Sequence, residues 1–241
     1  MKSAKFTDLM SRLPVGWTFT FAPGAGIATT RIDRIHFAVP DLHGAAEKAR
    51  AVIFALEMLG VKRAVFLGDM IDRGSNSRGT VDAIIAARKR NPSWVILRGN
   101  HEQIFIEGHD SGAVADLPDS LFGQLRAEER GHYAELFRAL PTYHETANLI
   151  FVHGGVSWSH WTTNIGEVPE YEQLWSYDIS RQWAGKKLVR GHQHTDLPEE
   201  FRTHVSLETY GWRVDRPFTV GVLADIEAKR NLIGWLTLAP V

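Results

Sequence analysis

The stretch Gly68-Asp69-Met70-Ile71-Asp72-Arg73-Gly74, read together with Arg98-Gly99-Asn100-His101-Glu102 further along, decides the reading of this chain. Each follows an apolar run of strand character, Ala64 to Leu67 before the first and Trp94 to Leu97 before the second. Three other places repeat the arrangement. Ile35 to Val39 leads into Asp41-Leu42-His43-Gly44, Leu149 to Val152 into His153-Gly154-Gly155, and Leu188-Val189 into Gly191-His192-Gln193-His194. In an α/β sheet, the loops leaving the carboxyl ends of neighbouring strands converge on one edge, where ligands bind. Five strand ends that each deliver a carboxylate, amide or imidazole therefore predict a single site.

The segments between the motifs support such a sheet. Ala45, Ala49, Val52, Ile53, Leu56 and Leu59 recur at helical spacing, and Gly60 stands where a left-handed residue would end the helix. A second helix is predicted from Ser77 to Lys89, with Val81, Ile84, Ile85 and Arg88 on one face and Pro92 stopping it. Strand, helix, strand, helix, strand implies a largely parallel sheet with right-handed crossovers. Gln103 to Leu140 reads as mostly helical, with a break between Gly108 and Pro118. From Tyr143 the pattern becomes strand-rich: Tyr143 to Glu145, Leu149 to Val152, Lys187 to Arg190, His204 to Leu207, Phe218 to Leu223 and Leu232 to Leu238 imply a second sheet.

With 241 residues, one domain with an ample core is expected. Residues 1–32, punctuated by Pro14, Pro23, Gly24 and Gly26, are expected to form an arm packed on a domain spanning 33–241. A net charge of -1 with interspersed acids and bases leaves no basic footprint for nucleic acid. The absence of cysteine excludes disulfides and thiolate metal sites, so any metal must be held by carboxylate, imidazole or amide groups. Asp8, Arg12 and Pro14 interrupt the N-terminal segment before a signal-like stretch develops, and no run reaches membrane-spanning length. The expectation is a cytoplasmic protein without a membrane partner.

The five motifs, in this order, resemble those of the calcineurin-like metallophosphoesterases, and within them the phosphoprotein phosphatase branch of bacterial or phage type, with its GDxHG, GDxxDRG, RGNHE, HGG and GH pieces. They span Asp41 to His194, about two thirds of the chain. The resemblance implies an α/β fold, a four-layer α-β-β-α sandwich of two mixed sheets, with a dinuclear metal site at the strand carboxyl ends. It implies that Asp41, His43 and Asp69 hold one metal and that Asp69, Asn100, His153 and His192 hold the other. His194 is a further candidate for the first metal, as in family members with a GHxH piece. Two divalent ions follow, Mn2+ being best suited to oxygen and imidazole donors, with Fe, Zn or Mg as alternatives.

In such a site two cations stand about 3.5–4 Å apart, a carboxylate bridges them, and a bridging hydroxide attacks phosphorus directly. Arg73 would bind phosphoryl oxygens through its planar fork, Asn100 would also face substrate, and His101 would protonate the leaving oxygen while Asp72 keeps it charged. Glu102, one residue past the acid, should point away from the metals. Each residue taken singly has a plainer explanation. Asp41 and His43 suit any strand-to-helix junction, His101 any helix start, and His153 and His192 any packed core.

Two positions depart from the family. Pro40 stands in place of the usual glycine of the first motif, and in Leu174-Trp175-Ser176-Tyr177-Asp178 a tyrosine occupies the place of the second phosphate-binding arginine. Tyr177 is therefore a candidate substrate contact, with Arg181 or Arg190 as alternative cations unless they are solvated or ion-paired. Trp158, Trp161, Trp175 and Trp183 are candidates for an aromatic wall, though core packing explains such residues equally. The leading expectation is a phosphatase acting on phosphoserine or phosphothreonine in proteins, or on a small phosphoester. A symmetrical diadenosine tetraphosphate hydrolase and a non-catalytic scaffold of the same fold are the alternatives.

Overall fold

The apolar runs that precede the motifs become short strands with little or no solvent on either face, which is why they lack polar alternation. The computed structural model describes residues 6–23, 31–113, 119–156, 164–178 and 185–240. In chain order the strands are β1 (Trp17–Phe21), β2 (Ile35–Val39), β3 (Ala64–Phe66), β4 (Val95–Ile96), β5 (Tyr143–Glu145), β6 (Leu149–Val152), β7 (Lys187–Arg190), β8 (Glu199–Glu200), β9 (His204–Ser206), β10 (Phe218–Ala224) and β11 (Leu232–Leu238). The helices are α1 (Phe6–Met10), α2 (Ala46–Met58), α3 (Ser77–Arg90), α4 (Asn100–Ser111), α5 (Leu121–Gln124), α6 (Ala127–Arg138) and α7 (Glu170–Trp175).

Two mixed sheets result. The first has the order β1-β11-β10-β2-β3-β4, the second β5-β6-β7-β9-β8. In the first sheet β2, β3 and β4 run parallel, with Phe37 opposite Ala64 and Phe66 opposite Ile96. In the second, β6, β7 and β9 run parallel, with Val152 opposite Arg190 and Arg190 opposite Ser206. The parallel trios supply the carboxyl ends at which the motifs sit.

One expectation is corrected here. The last two strands were grouped with the second sheet, but β10 lies antiparallel to β2 and joins the first, carrying β11 with it. Sequence order favours pairing with the nearest strand, whereas β2 offered the free edge. The N-terminal segment adds a strand too, since β1 pairs with β11 from Trp17–Leu238 to Phe21–Gly234.

The predicted helices appear with shifts of a residue or two at their ends. At α3 the Asn76 side chain accepts the Gly79 N–H at 2.8 Å, and Arg88, Lys89 and Arg90 fill the last turn, where the helix dipole favours cations. Gly60, with φ +64°, ends the turn after α2 in the left-handed region that only glycine occupies freely. The predicted helical stretch divides into α4, α5 and α6.

Packing explains the layers. Ala49, Val52 and Leu56 of α2, Val81 and Ile84 of α3, and Phe105 and Phe137 from α4 and α6 bury against Phe37, Val39 and Phe66 on the outer face of the first sheet. Ala38, Val65 and Leu67 meet Phe151, Val189 and Val205 between the sheets. Ile150, Val152 and Leu188 are covered by Val156, Ile165 and Val168, a thin outer layer that α7 completes. Truncating one such buried Leu or Phe to Ala would remove about 2–5 kcal/mol of stability. Among the described residues no helix is long and apolar enough to cross a membrane.

Candidate functional site

Five motif loops meet where the carboxyl ends of the two parallel trios face each other. Asp41, Asp69 and Asn100 leave the first sheet; His153 and His192 leave the second. The backbone marks the same place independently. The non-glycine residues with positive φ among those described are His43, Asp69, Asp72, Arg73, His192 and Tyr210, at +38° to +67°. Side chains are held in that unfavourable region where surrounding contacts over-determine them, and such residues gather at functional sites.

Close approach of the loops demands glycine at two positions that the motifs carry. A Cβ on Gly191 would lie 2.3 Å from Asp41 Oδ1, and one on Gly74 would lie 2.2 Å from the His43 carbonyl oxygen. Neither gap admits a methyl group. Pro40 does not displace the first motif, since Asp41 Oδ1 still accepts the His192 backbone N–H at 3.2 Å.

Two triplets of side chains bring their donor atoms within 4.8 Å of one another: His43, Asp69 and His101, and Asp69, His153 and His192. Asp69 belongs to both, as a bridging carboxylate would. Its Oδ2 lies 3.5 Å from His43 Nε2 and 3.4 Å from His153 Nε2, and Asp41 Oδ2 lies 3.8 Å from His43 Nε2. Asn100 joins through Oδ1, 2.8 Å from His153 Nε2. The structure thus assembles Asp41, His43, Asp69, Asn100, His153 and His192. His194 stands apart from these triplets, stacked on Tyr210 at 3.7 Å with Nδ1 3.3 Å from Glu208 Oε1.

The donor set fits cations. His43 Nδ1–H donates to the Ile71 carbonyl at 2.9 Å, so its Nε2 lone pair points at two carboxylates with no hydrogen-bond partner. That arrangement is repulsive unless a proton or a cation lies between them. His153 repeats it, donating from Nδ1 to the Leu67 carbonyl at 2.8 Å while Nε2 faces two oxygen acceptors. His192 Nε2 is also buried without a partner.

Electrostatics agree. Burial, then Glu208, pushes the Asp41 carboxyl up to about 8. Burial resists ionisation of Asp69 as well, but His153, His101 and His43 outweigh it and hold that carboxyl well below its ordinary range. Burial lowers His43 to about 3 and His192 to about 4, keeping both imidazoles neutral, the form that ligates metal.

Beside the carboxylates, His101 Nδ1–H donates to Asp72 Oδ2 at 2.8 Å, and the other Asp72 oxygen accepts the Leu121 N–H at 2.9 Å. Burial works against a charged His101, but Asp69 and Asp72 prevail and its pKa is raised. Arg73 Nη2 approaches His101 Nε2 at 3.2 Å, and its guanidinium lies 5.7 Å from the Trp212 ring centre. Arg73, His101 and Asp72 therefore form one contiguous group on the open side of Asp69.

Sequence reasoning missed several contributors. Glu102 points away from the cluster, as expected, but its task is specific: Oε2 accepts the Gly99 and Asp69 N–H groups at 2.7 and 2.9 Å, and Oε1 accepts that of Met70 at 2.8 Å. It braces the strained turn that aims Asp69. Glu208, fully buried, follows β9 just as His192 follows β7. Trp212 meets His43 edge-on at 5.4 Å. Its loop is pinned by Lys48, whose ammonium donates to the carbonyls of Gly211, Arg213 and Arg216 at 2.6, 2.5 and 2.7 Å.

Tyr177 lies against His192 at 4.7 Å and is 64% exposed. Arg190 is neither solvated nor ion-paired: it is buried, and its guanidinium donates to Ser206 Oγ, the Tyr177 carbonyl and Gln193 Oε1. Arg181, Trp158, Trp161 and Trp183 lie outside the described residues. Trp175 stacks on Tyr171 at 4.8 Å, and among the described residues the aromatic surface around the site comes from Tyr177, Tyr210 and Trp212. Two cavities of about 810 and 820 Å³ open toward the amino ends of the parallel strands, near Lys187 and Ile35, and touch none of the motif residues. Chemistry rather than volume locates this site.

A mixed two-sheet sandwich with histidine and aspartate donors at its strand ends defines a metal-dependent phosphoester hydrolase. The chain belongs to the calcineurin-like phosphoesterases, whose family model matches residues 37–219. The family uses a dinuclear divalent centre. Similar folds occur in a Saccharomyces cerevisiae protein serine/threonine phosphatase with similarity to human phosphatase PP5 (TM-score 0.62, 18% identity, 87% of this chain and 81% of that one). They occur also in a protein proposed to be a diadenosine tetraphosphatase (0.59, 15%, 80% and 91%). A third is the cold-active protein-tyrosine phosphatase of a psychrophilic Shewanella species (0.54, 14%, 83% and 80%). At these identities the likeness concerns the fold.

Proposed function

We propose that this protein is a phosphomonoesterase acting on phosphoserine or phosphothreonine in proteins, with two divalent cations, best suited to Mn2+, held by Asp41, His43, Asp69, Asn100, His153 and His192. The observation that carries this reading is the Arg73–His101–Asp72 group beside a carboxylate shared by two donor triplets. When bound, the cations supply an activated water at neutral pH and neutralise charge on the phosphoryl oxygens. Arg73 leaves His101 to take the phosphate through its planar fork, and Asn100 donates an amide N–H from the opposite side. His101, kept protonated by Asp69 and Asp72, then delivers its Nε2 proton to the leaving alkoxide. Tyr177, at the rim where the family has a second arginine, offers a phenolic hydroxyl to the same phosphate.

The exposed rings of Tyr177 and Tyr210 favour a second reading, hydrolysis of a dinucleoside polyphosphate whose base would stack there. Metal-stripped protein reloaded with manganese would be assayed on a phosphothreonine peptide, diadenosine tetraphosphate and p-nitrophenyl phosphate. Highest kcat/KM on the peptide supports the first reading. Preference for the dinucleotide replaces it with the second, and metal uptake without turnover on any of the three refutes both.

A further inference from the structure

Among the described residues the Arg73 side chain makes one hydrogen bond, from Nη2 to His101 Nε2 at 3.2 Å, and no ion pair. Its other neighbour is the Trp212 ring, whose centre lies 5.7 Å from the guanidinium carbon, within the range of cation–π attraction. A ring face attracts the charge without engaging any N–H. It therefore orients the guanidinium and leaves its donors to an incoming phosphoryl group, whereas a carboxylate in the same place would compete with phosphate for them.

The ring is itself fixed from several directions. It meets His43 edge-on at 5.4 Å, with 75° between the planes. Lys48, on the helix α2 that follows His43, holds the carbonyls on either side of Trp212, those of Gly211 and Arg213, together with that of Arg216. Gly211 packs so closely that a Cβ there would lie 2.9 Å from the Phe218 ring. Yet the indole Nε1–H is buried without an acceptor, so no hydrogen bond accounts for a tryptophan at this position. What the residue supplies is its face, which attracts a cation more strongly than that of tyrosine or phenylalanine.

We propose that Trp212 is the positioning residue for Arg73. The guanidinium pivots on the indole face, leaving His101 Nε2 for the phosphoryl oxygens while the ring keeps it over the site. This rests on the reading that Arg73 binds the phosphoryl group. Losing the ring would then raise KM and weaken phosphate binding through Arg73 alone, with manganese uptake unaffected.

The test measures binding of inorganic phosphate to the manganese-loaded full chain by calorimetry, alongside manganese stoichiometry, melting temperature, and kcat and KM on p-nitrophenyl phosphate. The proteins are wild type, Trp212→Phe, Trp212→Leu, Arg73→Met, and each Trp212 change combined with Arg73→Met. Trp212→Leu should weaken phosphate ~2–30-fold, the range of a cation–π contact, and Trp212→Phe by less, since a benzene face still attracts the cation. Neither change should weaken phosphate further once Arg73 is Met, because the cycle isolates the pair. Equal losses with and without Arg73, a Phe variant as impaired as Leu, or loss of manganese from the Trp212 variants overturns the proposal and leaves Trp212 a packing partner of His43. If Trp212→Leu does not fold, Trp212→Phe decides alone, by whether its loss of affinity disappears in the Arg73→Met background. Wild-type phosphate affinity in Arg73→Met itself would instead refute Arg73 as the phosphate ligand.

Discussion

Replacing Glu102 by Gln tests how the site is aimed without touching any group that faces it. The carboxylate, fully buried, accepts three backbone N–H groups, from Gly99 and Asp69 on one oxygen and Met70 on the other. Gln offers one acceptor. Placed on the side of Gly99 and Asp69, its oxygen keeps two bonds and turns its own NH2 against the Met70 N–H. One charge-assisted bond is lost, about 1.5–3 kcal/mol, and a buried donor is left unsatisfied, about 1–3 kcal/mol more. The expected loss is ~3–6 kcal/mol in denaturant unfolding of the metal-free protein. Because the Asp69 turn loosens with it, manganese affinity should fall as well. A stability change under 1 kcal/mol with unaltered metal binding would refute the idea that Glu102 sets the conformation of Asp69.

Other substitutions separate the remaining roles. His101→Asn should leave manganese stoichiometry at its wild-type value and reduce kcat most for substrates with poor leaving groups; equal loss on p-nitrophenyl and alkyl phosphates would remove His101 from the acid role. In Asp72→Asn the rate–pH profile should lose activity at lower pH than in wild type, because the carboxylate that helps raise His101 is gone. Gly191→Ala, driving a Cβ to 2.3 Å from Asp41 Oδ1, should weaken metal binding roughly tenfold or more, read by calorimetry. Lys48→Met strips three carbonyls of their donor, so about 2–4 kcal/mol of stability and a rise in KM are expected as the Trp212 loop loosens.

The pH dependence of the metal-free protein follows from groups that hold protons longer when folded. Asp41 and Glu208, both pushed up to about 8 chiefly by burial, and His153, raised to about 10 because Asp69 overcomes its burial, keep protons that the unfolded chain has released. Their contribution is complete below the unfolded pKa values and is lost as pH rises, so metal-free stability should fall from pH 6.5 to 8. Below pH 6.5 the lowered His43 and His192 act in the opposite sense. Bound divalent ions, which keep the carboxylates ionised, should flatten the decline; a metal-free melting temperature that climbs across this window would contradict the reasoning.

The parallel core of the fold was legible because β2, β3, β6 and β7 are short apolar runs ending on polar motifs, and the resemblance of those motifs to a known family nominated Asp41, His43, Asp69, Asn100, His153 and His192, which the fold brings together. The destinations of β10 and β11 were not legible, because an alternating or apolar strand does not encode which free edge it will meet. Glu208 escaped notice because a single glutamate after a three-residue strand looks like any loop acid. Glu102 was assigned the right direction but not its three backbone bonds, which depend on the exact path of the Gly68–Asp69 turn. Tyr210 and Trp212 were not foreseen at the rim, because they reach the site through a loop anchored by Lys48, a long-range contact with no local signature.

The division of donors between the two sheets has a mechanical side. Asp41, Asp69 and Asn100 ride on one sheet and His153 and His192 on the other, with Val65, Leu67, Phe151 and Val189 packed between them as the spacer. The thickness of that apolar filling therefore gauges the gap across which a cation must be gripped. Shaving a methylene from the filling, far from any donor atom, would retune which ion fits, so the hydrophobic interior acts as a calliper for the inorganic chemistry at its rim.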